Sequence, residues 1–299
     1  MKRIILDTDI GVDCDDAVAL ALMLKAEIAG KIDLLGVTAS TTRRGAVATI
    51  NAICRYYGKN KPVGVAERRI PCDDMNAYAA ACESAYGESD QAGSAVKLMR
   101  RLLAESAEKV TLVAIGPLVN IADLLRSEAD EYSSLCGARL VEEKVEEVVI
   151  MGGCFAINRC EVNPEWNILQ DIPSAQYVVK NLCRPVVYSP HEVGGLVFTH
   201  KGSGDNPVWY AMQTFAENNG DDLTQPIKRQ SWDPITCMYT FCDLSGWLAL
   251  SDPGTVTVTD SGVTEFCGGG GNARVLLLKG NDPENYVTLG EYIDKLMQD

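Results

Sequence analysis

Residues 2–25 read KRIILDTDIGVDCDDAVALALMLK, which is a short apolar strand, five aspartates and then an apolar helical stretch. The aspartates stand where a strand ends and a helix begins, and open α/β sheets bind ligands at that edge. Crowded carboxylates repel one another unless protons or a cation relieve the repulsion. Oxygen ligands alone suit a hard cation such as Ca²⁺ or Mg²⁺. Helix capping accounts for one or two aspartates but hardly for five. The segment therefore predicts a metal or catalytic site.

The same alternation of apolar runs and helical stretches continues along all 299 residues. The apolar runs are continuous, as in strands buried on both faces of a parallel sheet. We predict strands at 3–7, 34–39, 62–65, 110–115, 147–151, 185–188, 255–259 and 274–278, and helices at 16–28, 45–57, 90–107, 117–126, 171–181, 206–218 and 287–298. This pattern indicates an open, mainly parallel, doubly wound α/β sheet flanked by helices. No linker divides the chain, so we expect one domain over 1–299. The glycine-rich stretch 266–272 is expected to be a hairpin connection.

Composition excludes several classes of partner. The formal net charge of −14 argues against a nucleic-acid polymer, because phosphate binding needs clustered Lys and Arg. No apolar run approaches the ~18 residues of a membrane helix. Because a strand is predicted directly at the start of the sequence, no signal peptide is expected. The 11 cysteines form no CxxC pair, so a zinc site is not supported. A reducing cytoplasm is the expected location, with buried thiols such as Cys14 and Cys154.

Two later segments also end predicted strands with chemically useful groups. Gly116 and Pro117 follow the strand at 110–115, so the carbonyl of Ile115 can face the same cleft as the aspartates. A double glycine follows the strand at 147–151, and polar groups then surround Trp166: they are Asn158, Glu161, Asn163, Glu165 and Asn167. Amides and carboxylates at fixed positions suit a hydroxyl-rich ligand. For the first segment the alternative is an ordinary strand–helix connection. For the second it is a solvated loop.

A fourth segment, Ser231-Trp232-Asp233-Pro234, predicts a helix start with proline in the first turn. Capping alone would explain Asp233. The two histidines, His191 and His200, have no spacing typical of a metal pair. His191 follows the strand at 185–188 and can reach the cleft, whereas His200 is expected at the surface.

Taken together, these motifs resemble the inosine–uridine nucleoside hydrolase family over essentially the whole chain. They occur in the family's order: DTDIGVDCDD at 7–16, VAIGPLVN at 113–120, IMGG at 150–153, EWN at 165–167 and WDP at 232–234. The aspartate motif is two residues longer than the commoner form, so Asp13 inherits no role. The resemblance implies a Ca²⁺-dependent N-ribosyl hydrolase of small nucleosides on an open α/β sheet, assembled as a homodimer or homotetramer.

The resemblance also implies roles for individual residues. The implied Ca²⁺ ligands are Asp9, Asp16, the main-chain carbonyl of Ile115 and Asp233, and Asp9 is also the implied general base for the attacking water. The implied substrate contacts are Asp15 to a ribose hydroxyl, Glu165 and Asn167 on the other side of the sugar, Met151 and Asn163. Asp7 is expected to support this shell.

Two departures from the family pattern concern the leaving base. Many relatives have a histidine before the aspartate of the fourth segment, where it can protonate the base, but here Trp232 takes that position. Many also have an asparagine after the second strand, where this chain has Ser40, Thr41 and Thr42. Trp232 is thus expected to stack on the base or to pack, and His191 is an alternative acid.

The expected reaction is hydrolysis of the N-glycosidic bond of a ribonucleoside to ribose and free base. Carboxylates around the sugar would stabilise an oxocarbenium-like transition state. Two alternatives remain open. A nucleoside- or ribose-binding protein would keep the metal site without efficient turnover. A phosphatase of the haloacid dehalogenase type is suggested by Asp7-Thr8-Asp9, but its downstream lysine and acidic pair have no convincing counterpart.

Overall fold

The structure is a computed structural model that describes residues 1–75, 77–87, 92–155, 164–280 and 283–298. The described strands are β1 Lys2–Thr8, β2 Ile32–Ala39, β3 Val63–Val65, β4 Gly93–Ser94, β5 Val110–Ala114, β6 Val145–Met151, β7 Val186–Ser189, β8 Phe198–His200, β9 Lys228–Gln230, β10 Leu248–Leu250, β11 Gly254–Val258, β12 Thr264–Gly268 and β13 Ala273–Leu278. The described α-helices are α1 Asp15–Ile28, α2 Ala46–Tyr56, α3 Ala79–Tyr86, α4 Ala95–Glu105, α5 Val119–Arg126, α6 Gly137–Lys144, α7 Trp166–Gln170, α8 Ile172–Asn181, α9 His191–Gly194, α10 Pro207–Asn219, α11 Trp232–Met238 and α12 Pro283–Gln298. A short 3₁₀-helix spans Pro71–Asp74.

The large sheet has the strand order β12-β11-β13-β7-β6-β5-β1-β2-β3-β4, and β10 also pairs with β13. From β13 to β4 every neighbouring pair along this order is parallel, whereas β11 and β10 pair antiparallel with their neighbours. The predicted doubly wound, mainly parallel α/β sheet is confirmed. The remaining described strands, β8 and β9, form a separate antiparallel pair.

Helices cover both faces of this sheet. Ile4 and Leu6 of β1 belong to the apolar layer that contains α1, α10 and α11, whereas Ile5 belongs to the opposite layer with α4 to α6 and α8. This alternation follows from the two-residue period of a strand. Helix α1 lies deep in the first layer and is buried almost all round. Its first turn, which carries two aspartates, is therefore held firmly against the sheet.

Strand register brings the central strand ends to one edge. Asp7 pairs with Ala114, Ala114 pairs with Ile150, and Met151 pairs with Ser189. The residues that follow β1, β5, β6 and β7 therefore leave the sheet side by side. The functional groups were predicted from the sequence at this same edge of the sheet.

Helix α4 and the glycine-rich stretch differ from their predictions. Helix α4 begins at Ala95 rather than near residue 90, because the Ser94 side chain accepts a hydrogen bond from the backbone N–H of Lys97 and caps the helix there. The glycine-rich stretch is not a hairpin connection: it joins β12 to β13, which lie on opposite sides of β11. Gly271 passes so close to Gly254 that a Cβ would lie 2.2 Å from the Gly254 carbonyl oxygen.

No helix in the described part of the chain combines the length and the apolar character that a membrane span requires. Nine of the described cysteines are free, whereas Cys154 is disulfide-bonded, contrary to the expected buried thiol. Cysteine usage therefore does not decide the redox compartment, and the cytoplasmic location stays a prediction.

Candidate active site

A cavity of about 390 Å³ opens at the carboxyl ends of the central strands. Ten residues that the sequence singled out line it: Asp9, Asp15, Asp16, Ile115, Met151, Glu165, Asn167, His191, Trp232 and Asp233. Asn163, another predicted substrate contact, lies outside the described residues, as do Asn158 and Glu161. The structure therefore brings the four motif segments and His191 to one cavity.

Three carboxylates lie close together in this cavity. One oxygen from each of Asp15, Asp16 and Asp233 lies within 4.8 Å of the others, and each residue is no more than 5% exposed. Asp15 and Asp16 begin α1, and Asp233 lies in the first turn of α11, so two helix N-termini favour the negative charges. The backbone N–H of Asp233 also donates a hydrogen bond to Asp15 Oδ2 at 3.1 Å. This cluster could hold a metal ion.

The closest grouping of carboxylates differs from the predicted ligand set. Asp15, assigned to a ribose hydroxyl, belongs to the group within 4.8 Å, and Asp9, assigned to the metal, does not. Asp9 nevertheless lines the same cavity, and its charge raises the pKa values of Asp16 and Asp233. The carbonyl oxygen of Ile115 accepts a hydrogen bond from Asn167 Nδ2 at 3.4 Å. The division of roles between Asp9 and Asp15 stays a prediction.

Burial dominates the electrostatics of these acids. It raises the pKa of Asp7 to about 7, that of Asp9 to about 6 and that of Glu165 to about 7. Burial and then the neighbouring carboxylates raise the pKa values of Asp16 and Asp233 well above the ordinary value. A cation at this cluster would relieve the repulsion and the cost of burial together. The donor set fits a hard divalent cation such as Ca²⁺, because all of its donors are oxygens.

The raised pKa values predict an unusual pH dependence for the metal-free protein. A carboxyl whose pKa is higher in the folded state stabilises the fold fully below its unfolded pKa, and this contribution is lost as the pH rises through the folded pKa. The ordinary values are 3.8 for Asp7 and Asp9 and 4.5 for Glu165, and the folded values are about 6 to 7. We expect the Tm in chelator to fall between about pH 4 and about pH 7, from the unfolded to the folded pKa values. We also expect that excess Ca²⁺ flattens this slope, and a chelated protein whose Tm rises with pH would contradict the assignment.

Residues behind the cluster fix its geometry. The Thr8 hydroxyl donates to Asp16 Oδ1. Asp7 Oδ1 accepts hydrogen bonds from Thr38 Oγ1 at 2.6 Å and Asn120 Nδ2 at 2.7 Å, which agrees with its expected supporting position. The buried guanidinium of Arg43 donates to the carbonyl oxygen of Asp9 at 2.7 Å. These contacts tie the loop after β1 to the elements on either side.

Gly116 leaves space for Asp9. A Cβ at this position would lie 2.5 Å from Ser40 Oγ and 2.8 Å from both the backbone nitrogen and Oδ1 of Asp9. We therefore expect Gly116→Ala to displace the Asp9 carboxylate and to lower kcat about 10- to 100-fold. Gly246→Ala is the matched control, because a Cβ there meets no described atom within 4 Å. If both variants kept wild-type activity, Asp9 would not need its present position.

Opposite the aspartates, Glu165 and Asn167 form a rigid polar wall. The Glu165 carboxylate caps α7 and accepts N–H groups from Gly153 at 3.1 Å and Asn167 at 2.9 Å. Asn167 Nδ2 donates to the carbonyl oxygen of Met151 at 3.2 Å. Both side chains are therefore fixed by hydrogen bonds within the protein, and both line the cavity.

Aromatic and basic groups occupy another part of the wall. The rings of His191 and Trp232 are 5.3 Å apart between centroids, and Trp232 Nε1 donates to the His191 carbonyl oxygen at 2.9 Å. Burial lowers the pKa of His191, so the ring is mainly neutral at pH 7. Sequence reasoning did not identify Val12, Met75, Phe215, Asn219 and Arg229, which also line the cavity. Val12 lies within the aspartate motif but has no predicted role, and the other four lie outside every motif. Only the β8–β9 pair and α10 bring Arg229 and Phe215 here.

Comparisons with known proteins agree with this architecture. The family described as inosine-uridine preferring nucleoside hydrolase matches residues 4–280. The pyrimidine-specific ribonucleoside hydrolase RihA of Salmonella typhimurium is 29% identical over 211 residues, which are 66% of this chain and 61% of that protein.

Two solved structures share the fold over nearly their full lengths. The inosine-uridine preferring nucleoside hydrolase from Bacillus anthracis has a TM-score of 0.68 and 19% identity, with 100% of this chain and 99% of that chain covered. The purine-preferring ribonucleoside hydrolase from Gardnerella vaginalis has a TM-score of 0.71 and 18% identity, with 99% and 98% covered. The resemblance inferred from the motifs is confirmed, and the chain belongs to the inosine-uridine preferring nucleoside hydrolase family.

Proposed function

We propose that this protein is a Ca²⁺-dependent ribonucleoside hydrolase. The observation that carries the proposal is the buried group of Asp15, Asp16 and Asp233 in a cavity that Glu165 and Asn167 also line. An acidic group that can bind a cation thus shares a cavity with polar side chains that can hold a sugar. The family match over residues 4–280 supports the reaction class.

The proposed ligands are Asp9, Asp16, the Ile115 carbonyl and Asp233, with Asp15 adjoining them. When bound there, Ca²⁺ would orient a water molecule and lower its pKa. Asp9 is proposed to take the proton from that water, since burial already holds its pKa near 6. Asp15, Glu165 and Asn167 are proposed to hold the ribose hydroxyls. As the bond to the base breaks, the surrounding carboxylates stabilise the positive charge that develops on the ribose.

The test is release of free base and ribose from a panel of purine and pyrimidine ribonucleosides. We expect release with the calcium-loaded protein and none in excess chelator. No release from any member of the panel by the calcium-loaded protein would refute the proposed function. The alternative is a nucleoside-binding protein with little turnover, and it is favoured by Trp232, which replaces a histidine that could protonate the base. Calorimetric titration with nucleosides tests this alternative. That alternative requires stoichiometric nucleoside binding without products.

The finer assignments remain proposals. The Salmonella relative is named pyrimidine-specific and the Gardnerella structure purine-preferring, so neither preference transfers to this chain. Stacking of Trp232 on the base and His191 as the acid are two separate proposals. Homodimer or homotetramer assembly is likewise proposed. The family match spans nearly the whole chain and argues against the phosphatase alternative.

A further inference from the structure

An ion pair between Asp13 and Arg229 lies in the cavity wall. Arg229 Nε is 2.8 Å from Asp13 Oδ1, and Arg229 Nη2 donates to Asp13 Oδ2. Two parallel hydrogen bonds of this kind fix the plane of a guanidinium. Asp13 comes from the loop before α1 and Arg229 from β9, so the pair joins two segments on either side of the cavity.

The guanidinium also contacts two aromatic rings. Its central carbon lies 4.9 Å from the Phe215 ring centroid and 5.2 Å from that of Trp232. Arg229 Nη1 donates to Gln230 Oε1 at 2.9 Å. These bonds occupy three of the five N–H groups of an arginine. The other two have no acceptor among the described residues and are available to a ligand.

The pair lies nearer to the cavity mouth than the acidic cluster. Both side chains of the pair are 28% exposed, whereas Asp15, Asp16 and Asp233 are no more than 5% exposed. A ribose held at the acidic cluster would therefore direct its base toward the mouth, at the level of Arg229, Phe215 and Trp232. The nucleobases carry carbonyl oxygens and ring nitrogens that accept hydrogen bonds from a guanidinium.

We propose that Arg229 binds the departing base and that Asp13 is its positioning residue. The proposal rests on the proposed function. When the bond from C1′ to the base nitrogen breaks, its electron pair moves to the base and spreads onto the base's acceptor atoms. Arg229 donates N–H groups to those atoms. The water oxygen bonds to C1′, its proton goes to Asp9, and the base later takes a proton from solvent. Hydrogen bonding by a fixed arginine thus assists the departing base beside Trp232, which takes the place of the histidine that many relatives have.

The test compares two leaving groups in Arg229→Met. Inosine and uridine release nucleobase anions that are more basic than 4-nitrophenolate and therefore need more stabilisation. A 4-nitrophenyl riboside releases a weakly basic phenolate that departs with little help. Because hydrogen bonds to charged groups contribute to binding, we expect kcat/KM for both nucleosides to fall about 10- to 100-fold, with kcat carrying most of the loss. Hydrolysis of the aryl riboside is expected to stay within about twofold.

The double variant Asp13→Asn/Arg229→Met is the control for folding, because it removes the carboxylate charge that the single variant leaves unpaired. We expect it to be as slow on nucleosides as Arg229→Met and normal on the aryl riboside. Equal loss on all three substrates in the double variant, or recovery of nucleoside hydrolysis, would overturn the role of Arg229. Wild-type protein that hydrolyses none of the three would instead refute the proposed function itself.

Discussion

Asp16→Asn is expected to lower kcat/KM for ribonucleosides on the order of 10³-fold and to abolish tight Ca²⁺ binding. Asp16 belongs to the closest carboxylate group and is 2% exposed. An amide keeps the shape of the side chain and the hydrogen bond from Thr8, but it removes the charge that binds a cation. Calorimetric Ca²⁺ titration and steady-state kinetics measure the two effects.

Stability separates this result from simple misfolding. In chelator, Asp16→Asn is expected to melt at a higher temperature than wild type, because the substitution removes one of several mutually repelling buried charges. In excess Ca²⁺ the order is expected to reverse, since only the wild type gains stability from the bound ion. Asp74→Asn, at an 83% exposed side chain, is the control for loss of an aspartate elsewhere. An Asp16→Asn protein that binds Ca²⁺ and turns over normally would disprove this assignment.

The second large effect is discrimination against 2′-deoxyribonucleosides. Asp15, Glu165 and Asn167 are between 2% and 6% exposed, so a missing hydroxyl would remove a hydrogen bond in a buried site where water cannot easily replace it. Sites built around a substrate hydroxyl reject analogues that lack it on the order of 10⁴-fold. We expect a ratio of this size between the kcat/KM values of a ribonucleoside and its 2′-deoxy form.

The variant Asp15→Ala tests whether Asp15 binds the 2′-hydroxyl of the ribose. If Asp15 binds it, the variant loses more activity on the ribonucleoside than on the deoxy form, and the ratio narrows. Equal losses on both substrates would assign Asp15 to the metal instead, as its place beside Asp16 and Asp233 permits. Wild-type protein that hydrolyses both sugars equally would contradict the proposed sugar site.

The fold could be predicted because its strands are long enough to show a pattern. The apolar runs at 110–115 and 147–151 are buried on both faces and correspond closely to β5 and β6. The short strands β8 and β9 have three residues each, and one contains Lys228, Arg229 and Gln230. No hydrophobic pattern distinguishes such a segment from a loop. Its strand character depends on pairing with β8 in the folded chain.

The sugar side of the site could be predicted for a related reason. Asp9, Ile115 and Met151 follow strands that lie side by side, so strand order alone brings them together. The proposed base-binding side could not be predicted from the sequence. Phe215 lies in α10 and Arg229 in β9, and only long-range packing brings them to the cavity. Asp13 lies in the extended aspartate motif, and its partner is 216 residues away. Only the structure shows that this insertion carries an ion pair.

The most direct test of Ca²⁺-dependent hydrolysis is to titrate metal-stripped protein with Ca²⁺ and to measure bound ion and base release together. We expect no base release before Ca²⁺ is added. The rate of base release is then expected to rise in proportion to the fraction of protein that has bound Ca²⁺, and to reach its maximum at about one ion per chain, since one acidic cluster serves one cavity. Full activity in chelator would contradict the proposed Ca²⁺ dependence, and saturation with Ca²⁺ without base release from any ribonucleoside would contradict the proposed hydrolysis.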